Sequence, residues 1–313
     1  MRFVRRALAA PPPIAAAALL VVLQLLAAAA LAHGQGWGYS RRDEAIAALL
    51  LAVEVTLLYA VALLIGGRIF ALGAPLLFIV GPVILAKRYF VVGGPNLDYK
   101  TVYRHDVLPT AFGLTARAGI VAACLILAAA WLVLARTRAP LWVTAGLGGV
   151  AAAAAALVDP RVWPAVAAPV VAALWLRRPT AVGTAAAAAG VGLVALVVFR
   201  HAPHIPLGWH QMGVTSDSVR EYSWSRRILE YLPLAGFVGL ARRFAPAAAF
   251  FGVALLAVVI FPLARPIDLT TYLLAIVPGL PVYWLLAASI PYLVPHARPG
   301  VSTSSIRHVR DQA

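Results

Sequence analysis

Residues Ala45 to Ile65 read AIAALLLAVEVTLLYAVALLI, with one charge, Glu54, in the middle. Gly66-Gly67-Arg68 interrupt the run, and Ile69 to Ala86 continue it as IFALGAPLLFIVGPVILA. Each half is close to the roughly 20 apolar residues that carry a helix across a bilayer. Neither shows the alternation of a half-buried strand or the polar face of a soluble amphipathic helix. A segment apolar on every side predicts helices in lipid, where the backbone must satisfy its own hydrogen bonds.

Outward from this pair the pattern repeats. Ten runs are candidates for spanning helices: Pro13 to Ala32, Ala45 to Ile65, Ile69 to Ala86, Gly119 to Leu134, Leu141 to Val158, Trp163 to Leu176, Ala181 to Phe199, Ile228 to Leu240, Pro246 to Ala264 and Thr270 to Val294. The sixth and eighth are short: they are tilted into protein, begin earlier, or are re-entrant, and eight spans is the fallback. The fold expected is all-α, a polytopic helix bundle. It forms one transmembrane domain, 1–295, with a short cytoplasmic tail, 296–313.

Composition agrees. Of 313 residues, 63% are hydrophobic and 12% charged, and mean hydropathy is +0.89. A soluble domain carries about twice that charged fraction. Net charge is +15, but the arginines sit between apolar runs and no nucleic-acid motif accompanies them, so nucleic acid is excluded as a partner. Cys124 is the single cysteine, which excludes a disulfide framework and a thiolate metal site. The 24 Gly and 23 Pro suit spans, where both are better tolerated.

The first run has two readings. Met1 to Arg6 is a basic start and Ala30-Leu31-Ala32 resembles a signal-peptidase site. The run exceeds the usual 7 to 15 residues of a signal core and follows Pro11-Pro12-Pro13. A retained first span is therefore expected.

Charge sorting orients the bundle. With the N-terminus inside, the inner segments hold 13 Arg and one acid, Asp311. The outer segments hold 13 Lys or Arg and eight acids. Basic residues crowded into short inner loops are the form in which the positive-inside rule is reliable. Both termini are then cytoplasmic, and the long loops His33 to Glu44, Lys87 to Ala118 and Arg200 to Arg227 face out across the cell membrane. Two inner turns echo each other, Leu134 to Pro140 and Leu240 to Pro246. Arginine at the headgroups and proline at a helix start explain the echo without a duplicated fold. The Ala151 to Ala156 and Ala185 to Ala189 tracts, with Gly146, Gly148, Gly149, Gly190 and Gly192, read either as close helix packing or as biased composition.

The sequence contains no P-loop, no glycine-rich dinucleotide turn, no HExxH, no paired CxxC and no nucleophile elbow. Chemistry must therefore use the outer loops. In the first, Arg41-Arg42-Asp43-Glu44 offers carboxylates for a base beside arginines for a phosphate; the simpler reading is helix capping. In the second, Arg104-His105-Asp106 can bind phosphate or relay a proton; the simpler reading is a solvated interfacial loop. In the third, His201-x-x-His204 has a metal-like spacing, but Pro203 and Pro206 argue against the helix that would align the pair. Arg220, Arg226 and Arg227, interleaved with Tyr222 and Trp224, fit a headgroup-level belt able to hold a lipid phosphate. No motif demands a cofactor; a divalent metal is the one candidate, and no residue is assigned to hold it. Glu54 lies mid-span, where a charge costs about 2.5 to 3.5 kcal/mol on insertion scales. It is expected to face the bundle interior or a cavity, with a functional role or a structural hydrogen bond as the alternatives.

Several stretches resemble a known family. Tyr59 to Arg68 with the run to Gly81-Pro82, Val158-Asp159-Pro160-Arg161-Val162-Trp163, Arg220 to Gly236 and Tyr272 to Pro281 look like parts of bacterial polytopic glycosyltransferases of the GT-C class, similar to the dolichyl-phosphate-mannose protein mannosyltransferases. The likeness covers most of Ala45 to Pro295. It implies inverting sugar transfer from a polyprenyl-phosphate donor on the outer face. An acidic residue there would act as base and arginines would steady the leaving lipid phosphate. Asp43 with Glu44 matches the family's first-loop acid, and Asp106 is the reserve. The first outer loop is much shorter than the family's. Either the site is reduced, or a catalytic N-terminal part is lost, or a membrane protein partner supplies it. The competing readings are a non-catalytic lipid- or partner-binding membrane protein, and a transporter or flippase.

Overall fold

A computed structural model describes residues 13–35, 41–89, 117–135, 137–200, 232–263 and 277–294. All the secondary structure among them is helical. In chain order the helices are α1 Pro13–Gln35, α2 Arg41–Tyr89, α3 Arg117–Leu134, α4 Leu141–Val158, α5 Ala168–Trp175, α6 Pro179–Arg200, α7 Leu232–Leu263 and α8 Leu280–Ala288. Short 3-10 turns cover Pro160–Ala167, Val277–Gly279 and Ile290–Leu293.

Five helices among the described residues are long and apolar enough to cross a membrane: Ala45–Val80, Arg117–Leu134, Leu141–Val158, Pro179–Val198 and Pro233–Leu255. The first and last contain breaks where the sequence sets borders between runs. In α2, Gly67 has φ 78° and ψ −167°, a conformation open only to glycine. In α7, Phe244 leaves the helix at φ −154°, ψ 84°, two residues before Pro246. Both echoing turns interrupt the helix: Leu134 to Pro140 separates α3 from α4, and Phe244, inside Leu240 to Pro246, divides α7 into two helical segments.

The short sixth run begins earlier than its apolar residues suggest. Pro160–Ala167 forms a 3-10 helix of 8 residues and α5 adds 8 more. The steeper 3-10 rise gives the pair a reach of about 28 Å, close to the hydrocarbon thickness. Asp159 starts this element from the end of α4: its N–H donates to Ala155 O at 2.9 Å, and its carbonyl accepts from Val162 N–H at 3.1 Å.

Part of the glycine and alanine tracts of α4 and α6 forms a packing seam, whereas Gly190 faces open space. A Cβ added at Gly149 would lie 2.8 Å from Ala188 Cβ and 3.0 Å from Ala185 O. Thr184 Oγ1 on α6 sits 2.8 Å from Trp142 O on α4. Small residues let two backbones approach, and a hydroxyl adds a polar tie that lipid cannot replace. Val191, Val194 and Val198 of α6 are all exposed and form one apolar stripe along the helix. The largest core cluster gathers Leu58, Phe78, Leu127, Phe250, Phe251, Leu285 and Leu286 from α2, α3, α7 and α8.

The orientation has a direct check. Reporter fusions after Arg138 and after His210 are expected to report opposite sides of the membrane, from the distribution of acids along the chain. The same side for both would overturn the arrangement.

Candidate functional site

Asp43 occupies the first turn of α2, where a carboxylate opposes the positive end of the helix dipole. Arg117 opens α3, the wrong end of a helix for a cation. The fold resolves this by pairing them: Arg117 Nη2 donates to Asp43 Oδ1 at 2.6 Å. The two residues are 74 apart in sequence, so α2 and α3 run side by side in the same direction. Leu50 and Cys124, again 74 apart, meet one layer deeper, where the Cys124 thiol lies 4.0 Å from Leu50 O. Leu51 and Ile120 pack beside them.

Arg117 keeps a further donor. Its Nε is buried and has no hydrogen-bond partner. A guanidinium with one arm on a carboxylate and an unsatisfied N–H beside it can donate a further hydrogen bond to an anionic oxygen, most naturally of a phosphate. Arg117 was not among the residues the sequence singled out. The signal that points to it is a cation at the first position of an apolar helix, which calls for an anion nearby.

Of the residues the sequence did single out, Asp43 joins this pair and Arg42 stands exposed on the same turn. Arg41 and Glu44 lie in the same first turn of α2, but their side chains are outside the description. Asp106, Arg104, His105, Arg220, Arg226, Arg227 and the histidines of the third loop lie outside the described residues. No group of three or more His, Cys, Asp or Glu able to hold a metal ion occurs among the described residues. The side chains in view therefore do not form a divalent-metal site.

Deeper in α2, Glu54 is 1% exposed and its Oε2 has no hydrogen-bond partner. The expected interior placement is observed, and this oxygen makes no structural hydrogen bond. Tyr59, further along the helix, is buried with its hydroxyl also unpartnered. At the opposite end of the bundle, Arg242 Nη1 donates to Leu293 O at 3.0 Å, Arg243 lies over the Tyr292 ring at 5.8 Å, and Phe70 meets the same ring at 5.5 Å. These contacts tie the α2 and α7 breaks to the last turn.

No protein-family model, no curated protein and no solved structure matches the chain.

Proposed function

We propose that the chain is a multi-pass cell-membrane glycosyltransferase that takes a sugar from a polyprenyl-phosphate donor on the outer face. In this reading it has ten spans and both termini in the cytoplasm. The observation that carries the proposal is the Asp43–Arg117 pair, a carboxylate aimed by an arginine whose Nε is still unsatisfied. Asp43 removes the proton of the acceptor hydroxyl as that oxygen attacks the anomeric carbon from the face opposite the phosphate. The bond from that carbon to the lipid phosphate breaks, and its electrons leave with the phosphate. Arg117, with Arg41 and Arg42 on the neighbouring turn, stabilises the charge that develops there. The sequence resemblance to GT-C enzymes supports the same chemistry, as does the lack of any nucleotide-binding motif, since a lipid-linked donor needs none.

The test is incubation of the purified chain with radiolabelled polyprenyl-phosphate sugars and a membrane extract as acceptor source. Label transferred to an acceptor supports the enzyme. Binding of the lipid without transfer favours the non-catalytic alternative. The transporter or flippase reading is favoured by one observation, Glu54 buried without a partner for Oε2, and a liposome flux assay separates it from both.

The third outer loop gives a second prediction. Arginines at the interface contribute about 1 kcal/mol each to attraction of anionic lipid. Changing Arg220, Arg226 and Arg227 together to Gln is expected to weaken binding of a polyprenyl phosphate and to flatten its salt dependence. Unchanged binding would leave these arginines as topology anchors.

A further inference from the structure

We propose that Glu54 is a reversible proton-binding site inside the bundle, reached from the end of α2 that carries the Asp43–Arg117 pair. The proposal does not rest on the transferase reading and survives its failure.

Glu54 is the one acid within the candidate spans of the described residues. It is essentially fully buried, and Oε2 meets no donor. A structural carboxyl would hold a donor from a neighbouring helix; an apolar residue would fill the same space at lower cost in lipid. An acid in an apolar bundle with an oxygen left unsatisfied is suited to one ligand, a proton, which it can gain and lose without rearranging a network. It is not suited to a metal ion, because no cluster of ligands gathers among the described residues.

Position supplies the route. Asp43 and Glu54 are 11 residues apart, which in a helix of 3.6 residues per turn returns to nearly the same face, about 16 Å deeper. Ala47 and Leu51 lie between them on that face, both buried, and Leu51 packs on Ile120 of α3. The face is therefore the one laid against α3. Along this seam the polar groups descend in order: the Arg117–Asp43 pair at the mouth, the Cys124 thiol against Leu50 O, then Glu54. Cys124 and Glu54 are close enough to interact electrostatically.

The other groups that could set the proton's behaviour are few. In its described residues α3 carries Arg117 and Cys124 as its titratable groups. From α1 the buried polar residue is Gln24, and His33 lies near that helix's end. Packed on α2, α8 carries Tyr283 alone. Within α2 itself the nearest described side chains are Tyr59 and Asp43, with Glu44 in the same first turn as Asp43, and the α7 cations Arg242 and Arg243 sit at the far end of the bundle, against the turn that touches Gly66. No fixed cation stands at Glu54 among these, so the proton is what neutralises it.

The experiment is infrared difference spectroscopy on the full chain in lipid vesicles, stepped reversibly from acidic to alkaline buffer. Wild type minus Glu54→Gln is expected to isolate one carboxylic-acid carbonyl band, present in acid, lost in alkali and restored on return. Glu54→Asp, which keeps the acid and moves it by one methylene, should shift the band, and it serves as the comparison if the Gln variant does not accumulate. A band that persists unchanged into alkali would mean a locked structural acid and would overturn the proposal. So would the absence of any Glu54-dependent acid band in acidic buffer, which would mean a permanent carboxylate. The side of access is read from deuterium exchange of the same band. Asp43→Asn and Arg117→Gln are each expected to make exchange about tenfold faster, the change given by a barrier lowered by about 1.4 kcal/mol. Exchange rates equal to wild type in both would refute access past the pair.

Discussion

Asp43→Asn is expected to lower sugar transfer by about 100-fold to 10,000-fold, the range that general-base help contributes. The change keeps the shape of the side chain and its oxygen acceptor but removes the basicity. It should not unfold the protein. The Asp43 and Arg117 side chains are 35% and 36% exposed, and an ion pair that open to solvent contributes only about 0 to 1 kcal/mol. Loss of activity with an unchanged melting curve therefore assigns the effect to chemistry. Arg117→Lys separates the arginine's two functions. Lysine can keep a charge on Asp43 but lacks the forked geometry that also offers Nε to a phosphate. It is expected to weaken use of the lipid-phosphate donor more than it alters the pH dependence of transfer. Glu44→Gln should do less than Asp43→Asn, since a carboxylate in the first turn of α2 also serves the helix dipole. Full activity in Asp43→Asn together with its loss in Asp106→Asn would move the base to the second loop.

Gly236→Ala is expected to lower the melting temperature measurably, although it adds one methyl group and improves helix propensity. A Cβ at Gly236 would fall onto the carbonyl of Leu286, a backbone atom that cannot swing aside. A turn further on, Gly239 is held in the same way against the carbonyl of Ser289. The two glycines let α7 lie directly on α8 and its following turn. Forcing them apart opens the cluster around Leu240, Phe250, Leu285 and Leu286. Overpacking of this kind costs about 1 to 3 kcal/mol, and each kcal/mol corresponds to about 2 to 4 °C in domains of 150 to 250 residues. Gly183→Ala and Gly190→Ala are the controls. A Cβ at either meets nothing within 4 Å, so both are expected to leave the melting temperature unchanged or raised. Equal destabilisation at all three positions would show that the α7–α8 contact is not what Gly236 serves.

The contrast between those glycines shows where the sequence stopped being informative. Gly149 of α4 and Gly192 of α6 lie in close helix contacts, while Gly183 and Gly190, also in α6, face open space. Nothing in the residue type distinguishes them. The all-helical fold, and the presence of helices long and apolar enough to cross a membrane, were legible from the chain alone, because both follow from local properties. Long apolar runs must hydrogen-bond within themselves in lipid, and Gly66-Gly67-Arg68 is a break wherever it occurs. Glu54 could likewise be placed in the interior from its charge. What the tertiary structure decided is which faces meet. Its helices are apolar nearly all round, so no hydrophobic stripe marks an inner side. The pairing of Asp43 with Arg117 across 74 residues, of Thr184 with Trp142 across 42, and of Arg242 with Leu293 across 51 depends on that choice. Sequence named Asp43 because it lies in the first outer loop beside Arg41 and Arg42, at the mouth of a helix, where the resembled family keeps its acid. It passed over Arg117, because an arginine at the edge of a span reads as an anchor until the helix beside it supplies the acid.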